Sequence, residues 1–264
     1  MPVTLNLVAR TRGTLPLYDL DAMREWDVDA FVTGRDGGVS SAPYDTLNLG
    51  THVGDEPTCV TENRRRLAAA LQLKSTGLVI SSQVHGAHVN DVDGWSGEEL
   101  VGDAMVTTRG DVTLCVLVAD CVPLLFVETT GPRFGVAHAG WRGLVAGVIP
   151  ATLAHFESPG DVRVVIGPHI SPRAYQVGPE VAQHFGGIEG AVLDDVEDRS
   201  RLDLTAIALS QLAQCGVDVA DVTLCAPATD NGAIFFSDRA RHPCGRFGLV
   251  ARRSYDSSLK EGIK

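Results

Sequence analysis

The run Thr113-Leu-Cys-Val-Leu-Val-Ala-Asp-Cys-Val-Pro-Leu-Leu-Phe-Val127 constrains this chain more than any other stretch. Its Val- and Leu-rich composition reads as strand buried on both faces. Asp120-Cys121 interrupts it once. The segment Gly135-Val-Ala-His-Ala-Gly-Trp-Arg-Gly143 follows as a second apolar run, ending on His138 and opening into glycines. A thiol and an imidazole therefore stand where buried strands end. Side chains at such ends project from a rigid scaffold into a crevice, which is where α/β proteins place ligands.

The chain has 264 residues, long enough for a sizeable core in one large domain or two small ones. Its 44% hydrophobic and 21% charged content is that of a soluble globular protein. The formal net charge of -11 argues against nucleic acid as a general partner, because phosphate backbones need a basic surface. A small anionic substrate held by a few local arginines is not excluded. The six cysteines, at 59, 115, 121, 215, 225 and 244, include no C-x-x-C pair and form no small disulfide framework. Met1–Arg10 lacks the basic start and long apolar core of a secretory signal. No run of 18 apolar residues exists to span a membrane. Free thiols in a reducing cytoplasm are the simplest setting.

Val28–Thr33 reads as a strand that runs into a long polar loop, residues 34–55. Tyr44, Leu47, Leu49 and Val53 are available to pin that loop, and long ordered loops tend to be functional. Pro57 opens a helix expected to reach Leu73, with Leu67, Ala70 and Leu71 as its apolar stripe. Leu78–Gln83 and Ala87–Val92 read as strands flanking His85-Gly86. The two strands of the opening run come next, then a strand at Arg133–His138. A helix is expected from about Gly143 to Phe156, kinked at Pro150. Val162–Ile166 is a buried strand. Pro179–Phe185 and Leu204–Gln214 are helices, the latter with Asp203 as N-cap. Val222–Cys225, Ala233–Phe236 and Phe247–Ala251 close the chain as strands, and the polar tail after Ser254 frays. The irregular interleaving predicts an α+β fold, a single domain over 1–264 with mixed β-sheets packed against helices. No G-x-G-x-x-G or Walker-type motif supports a nucleotide-phosphate loop.

Three residues can carry chemistry: His85 in Ser82-Gln-Val-His-Gly86, Cys121 in Ala119-Asp-Cys-Val-Pro123, and His138. His, Cys and His can hold zinc with a fourth position open, the form of a catalytic site. They can equally supply a Cys nucleophile with a His base, or be two packed histidines and a buried thiol. Asp120 is a carboxylate in an apolar run and must be paired. Orienting a metal-bound histidine is one way, and bonding a nearby loop is another. His88 points away from His85 on an extended segment, and Cys115 is core packing.

In these contexts the trio resembles the laccase-domain family, also called peptidoglycan editing factor or multicopper polyphenol oxidase-like. The resemblance covers most of the chain. Its motifs include Gly38-Val-Ser40 with Pro43-Tyr44, Leu47-Asn-Leu-Gly50, His52-Val-Gly-Asp55, Glu62-Asn-Arg64, Gly102-Asp-Ala104, His138-Ala-Gly-Trp-Arg-Gly143, Ile166-Gly-Pro168 and Gly245-Arg246. It implies a layered α/β/β/α sandwich. It also implies a zinc-dependent purine nucleoside phosphorylase, acting on adenosine, inosine and methylthioadenosine, with adenosine deaminase activity. His85, Cys121 and His138 would be both metal ligands and catalytic centre, with zinc, or copper, as cofactor. The family's names keep two alternatives open: a copper-dependent polyphenol oxidase, and a hydrolase of cell-wall precursors with Cys121 as nucleophile. The pattern breaks at Pro172-Arg-Ala-Tyr-Gln176, where the family has small or Cys residues, Tyr and Glu. It breaks again at Phe235-Phe-Ser-Asp-Arg-Ala240, so wall contacts near Arg173, Gln176 and Asp238 are not carried over.

Candidate substrate contacts are Ser40, Asn48, His52, Arg64 and Arg142. Arg142 precedes a helix within a glycine turn, a place suited to an anion. Arg64 lies on the first helix. Asn48 and His52 could touch ribose or base. Each has a plainer reading, as turn chemistry for Ser40, Asn48 and His52 and as a solvated charge for the arginines. The expected partners are a purine nucleoside and phosphate, with no nucleic acid and no membrane. The oligomeric state is left open.

Overall fold

In the computed structural model, residues 1–73 and 77–254 are described. The tail after Ser254 lies outside them. The strands, in chain order, are β1 (Val3–Asn6), β2 (Ala9–Arg12), β3 (Leu15–Asp19), β4 (Val28–Thr33), β5 (Leu78–Ile80), β6 (Val89–Asp91), β7 (Ala104–Thr107), β8 (Thr113–Val118), β9 (Val122–Glu128), β10 (Phe134–Ala139), β11 (Val162–Ile166), β12 (Gln176–Val177), β13 (Val192–Asp194), β14 (Ser200–Leu202), β15 (Val222–Ala226) and β16 (Phe247–Arg253). The helices are α1 (Pro57–Ala70), α2 (Trp141–Ala146), α3 (Val148–Leu153), α4 (Pro179–Ala182) and α5 (Leu204–Gln214).

Two large mixed sheets form the body. One runs β1-β15-β11-β9-β10-β7-β6 and the other β2-β3-β4-β16-β8-β5, with a small β12-β14-β13 sheet beside them. The alternation along each strand decides the layers. Leu114, Val116 and Val118 of β8 face inward and meet Leu125 and Val127 of β9 and Phe134 and Val136 of β10. The opposite face of β8, Cys115 and Leu117, packs with Leu67 of α1 and with Leu47 and Leu49 of the long loop. The opposite face of β9, Leu124 and Phe126, packs with Leu144, Val148, Ile149 and Ile207 of the other helices. The order is therefore helix, sheet, sheet, helix, the sandwich that the resemblance implies. Strands buried on both faces require continuous apolar runs, and each such Val or Leu contributes about 1.5–3 kcal/mol of burial. No helix among the described residues is long and apolar enough to cross a membrane.

Several expectations change. The two strands of the opening run do not pair: β8 pairs with β16 and β5, and β9 with β10 and β11. At Ala119-Asp120-Cys121 the chain leaves one sheet for the other. The polar interruption is thus a corner, with Asp120 at φ +81°. The helix expected at 143–156 is two helices broken at Gly147, which takes φ +83°. Pro150 sits in the first turn of α3, where its missing N–H breaks no helical bond. Ala233–Phe236 is not a strand. Phe235 and Phe236 are buried in the core between the sheets while their backbone stays outside any ladder. The edge strands β1 and β2, largely exposed, carry no apolar run to announce them. Asp203 does cap α5, accepting from the Ala206 amide at 3.0 Å.

The long loop is ordered from its own residues and from α1. Tyr44 donates to the Val53 carbonyl at 2.9 Å. Buried Asn63 accepts from the Val39 amide and donates to Ser40 Oγ and to the carbonyls of Thr46 and Asn48.

Candidate metal centre

The three chemistry-bearing residues reach one place along different routes. Cys121 leaves the corner between β8 and β9. His138 lies near the end of β10. His85 stands in the passage from β5, in one sheet, to β6, in the other. Their ligating atoms all lie within 4.8 Å of one another, with His138 buried, Cys121 half-buried and His85 exposed. The two imidazole rings meet edge to face, with centroids 4.8 Å apart.

Asp103, fully buried at the start of β7, organises the cluster. Its carboxylate accepts the backbone amides of Val84 (3.1 Å), His85 (2.9 Å) and Gly86 (2.7 Å). It also meets His138 Nδ1 at 2.8 Å. One carboxylate thus clamps the His85 turn, where His85 is held at φ +60°, and fixes the orientation of the second imidazole. The free Nε2 of His138 is left for the centre, the usual carboxylate–histidine support of a metal ligand. Burial works to raise the Asp103 pKa, yet the hydrogen bonds from His138 and the Gly86 amide hold it below the ordinary value. Asp120 does not play this part. Its carboxylate accepts from Thr229 Oγ1 at 2.6 Å and from the Arg239 amide at 2.7 Å, tying a distant loop to the corner.

Burial would raise the Cys121 thiol, but the charge and hydrogen bond of His138, with a hydrogen bond from His85, bring it down to about 6. Burial would lower His138, but the Cys121 thiolate and the bond to Asp103 bring it up to about 9. The metal-free centre is therefore a thiolate beside an imidazolium. A cation would replace the imidazolium proton. Two imidazoles and a thiolate suit zinc or copper, and the close approach is protected by Gly140. A Cβ there would lie 2.9 Å from Cys121 Sγ and 3.2 Å from His85 Cδ2. Cys115, by contrast, is buried and its thiol pushed up to about 12 by desolvation. His88 stays outside the cluster, its carbonyl accepting the amides of Asp103 and Ala104.

The expected substrate contacts divide. His52 and Arg64 line a cleft of about 300 Å³ with Ser82, Gln83 and Glu99. Gln83 shapes it by exchanging two 2.8 Å bonds with the Leu117 backbone. Arg64 donates Nε to the Leu49 carbonyl at 2.9 Å and meets no carboxylate among the described residues. Burial first, then the charges of Arg246, His85, Arg64 and His138, lower the His52 pKa, so its ring is neutral near pH 7. Arg142 is exposed at the start of α2, its guanidinium 4.3 Å from the Trp141 ring centroid. Ser40 and Asn48 are buried, and their polar atoms are spent within the loop on Asp55, Asn63, Gly50 and the Arg246 amide. They brace the wall and do not face the opening. Sequence reasoning missed Asp103 as the organiser. Its signal was an acid fixed between Gly102 and an apolar strand, where a buried carboxylate needs partners.

Comparison with known proteins agrees with this architecture. The chain is 30% identical to YlmD from Geobacillus stearothermophilus, with a TM-score of 0.86 over 94% of this chain and 99% of that one. Against a Neisseria meningitidis protein the values are 32% and 0.80, covering 86% and 94%. Among curated relatives, a purine nucleoside phosphorylase of Pseudomonas aeruginosa is 47% identical over 159 residues, 60% of this chain and 64% of its own length. The match thus spans just under two thirds of that relative. The purine nucleoside phosphorylase YfiH of Escherichia coli is 40% identical over 195 residues, 72% of this chain and 80% of its own. Residues 29–253, which carry every member of the cluster and both sheets' central strands, match the family described as multi-copper polyphenol oxidoreductase laccase, and the chain belongs to that family.

Proposed function

We propose that the chain, acting as one catalytic domain, is a zinc-dependent purine nucleoside phosphorylase with adenosine deaminase activity. Its substrates would be adenosine, inosine and methylthioadenosine. The observation that carries this reading is a His-Cys-His centre with His85 exposed, together with a cleft that holds Arg64, which forms no ion pair among the described residues. The names of the relatives point the same way. His85, Cys121 and His138 would hold the ion. Zinc bound by three protein ligands supplies Lewis acidity toward an oxygen nucleophile.

The chain's own groups supply the rest. Arg64 fixes phosphate in the cleft, and Arg142, exposed at the start of α2, offers a second charge. Neutral His52 is suited to a ribose hydroxyl, as donor or acceptor. In phosphorolysis a phosphate oxygen attacks C1′ and the purine departs. In deamination water adds at C6 of adenine and ammonia leaves. Purified protein given inosine or adenosine with phosphate should release free base and ribose 1-phosphate, and ammonia from adenosine. Full turnover by Cys121→Ala would refute the assignment of the centre.

Two other readings have specific support. The family description favours a copper oxidase. A multicopper mechanism needs several copper sites, and among the described residues one cluster of three or more His, Cys or carboxylate ligands is present. Oxygen uptake that tracks copper loading would revive it. The thiolate–imidazolium pair favours a hydrolase of cell-wall precursors. Precursor hydrolysis by metal-free protein, lost in Cys121→Ser, would establish that.

A further inference from the structure

A second cavity, of about 350 Å³, adjoins the arginine cleft, and the two share Arg64 and Ile80 in their walls. Its walls come from α1 (Arg64, Ala68), from β5 (Leu78, Ile80) and from the loop between β6 and β7 (Trp95, Leu100). These side chains are half-buried. Trp95 and Leu100 rest on the core between the sheets, and Leu78 and Ile80 on the core beneath α1. Trp95 is fixed by its polar edge, Nε1 donating to the Glu98 carbonyl at 2.9 Å, which leaves its ring as an apolar wall. The charges around the cavity are spent, with one exception. Arg65 donates Nε and Nη2 to Glu62 at 2.6 and 2.9 Å. Glu98 accepts from the Ser96 amide and hydroxyl, both at 3.0 Å. Arg64 uses Nε on the Leu49 carbonyl, but its two Nη atoms meet no protein acceptor among the described residues and are open to solvent. A half-buried arginine without a counter-ion beside an aromatic, apolar wall suits a ligand with a charged head and an apolar body. The wall alone would fix no orientation, and a bare inorganic anion would leave the wall wet.

We propose that this cavity is a second ligand site, taking a small aromatic carboxylate or phosphate monoester with its anionic head on Arg64 and its ring against Trp95. The two Nη groups offer parallel donors to two oxygens of the head, the forked geometry that carboxylates and phosphates share. The aromatic body leaves water for Leu78, Leu100 and the indole, which another ring meets offset or edge-on. At about 350 Å³ the cavity is at the small end of ligand sites, which fits one ring on a short arm rather than a larger molecule. Such binding needs no catalysis and stands apart from the phosphorylase reading. Where Arg64 serves phosphate, as proposed above, the two ligands exclude one another, and an aromatic acid in this cavity inhibits the enzyme.

Calorimetry on the whole protein tests this with four probes. Phenylpropionate and phenyl phosphate separate the two heads, while phenylpropanol and propionate keep the body or the head alone. The better of the two aromatic anions should bind at least about tenfold more tightly than either fragment, the value of one charge-assisted hydrogen bond. Its head then says whether the ligand is a carboxylate or a phosphate monoester. Arg64→Gln should weaken it about 10–100-fold and Trp95→Leu about 3–10-fold. Ala68→Phe fills the cavity from α1 without changing either anchor, and should weaken it at least about tenfold. Equal affinity for the aromatic anions and their fragments would overturn the site, as would wild-type affinity in Arg64→Gln or in both Trp95→Leu and Ala68→Phe. Binding that is lost in Arg64→Gln yet indifferent to added inorganic phosphate would refute the placing of phosphate on Arg64 and leave this site standing.

Discussion

Replacing Asp103 by Asn tests the organisation of the centre most directly. The carboxylate takes four hydrogen bonds, two on Oδ1 from His85 N and His138 Nδ1, and two on Oδ2 from Val84 N and Gly86 N. Asparagine has the same shape, but one oxygen becomes an NH2 group. Whichever way the amide turns, two of the four bonds become donor against donor. Hydrogen bonds to a buried charge are worth about 1.5–3 kcal/mol each, so the loss of two should be about 3–6 kcal/mol. At ~2 °C per kcal/mol for a chain of this size, the melting temperature should fall by roughly 6–12 °C. Zinc affinity, measured by competition with a chromogenic chelator, should drop about 10–100-fold, since the clamp orients both histidines. The pH dependence supplies a second signature. Asp103 holds its proton less tightly in the folded protein than in the unfolded chain. Its contribution is therefore complete above about pH 4 and is lost as pH falls through its lower folded value. The variant should show a flatter acid limb than the parent. A variant melting within about 2 °C of the parent, with zinc affinity within about threefold, would refute this account of the centre.

Asp120→Asn provides the contrast. Asparagine tolerates the φ +81° backbone, so the variant should lose about 1–2 kcal/mol from the Thr229 and Arg239 contacts while zinc affinity stays put; equal damage to metal binding would reverse the roles given to the two acids. Gly140→Ala has an accessible φ of -76° but drives a Cβ toward the Cys121 sulfur, so it should fold normally and lose at least about tenfold in metal affinity, and unchanged affinity would show that the sulfur can move aside. In metal-free protein, alkylation of Cys121 should rise with a midpoint near the pH of about 6 at which its thiolate forms, should shift upward in His138→Ala, and should be blocked by zinc; a midpoint that ignores His138 would count against the ion pair. Arg64→Ala should raise the KM for phosphate by about tenfold or more with little change in melting temperature, whereas a variant that instead fails with nucleoside would move phosphate out of the cleft.

The chain's local chemistry settled much of this protein in advance. Apolar runs buried on both faces could only be central strands between other layers, and Val28–Thr33 and Val162–Ile166 emerge with the expected bounds. Polar residues that break such runs had to stand at their ends, which placed Cys121 and His138. Long-range arrangement was not legible, because spacing along a chain does not say which strands share a sheet. Only the fold shows that β8 and β9 belong to different sheets, so that the Asp120-Cys121 break is a corner where a crevice opens. The roles of the two acids also depended on it. Both are carboxylates next to apolar strands and look alike in sequence, yet the three amides and the imidazole nitrogen converge on Asp103, while Asp120 faces the loop of Thr229 and Arg239. A carboxylate takes its part from the donors around it, and those donors come from segments that only tertiary packing brings together.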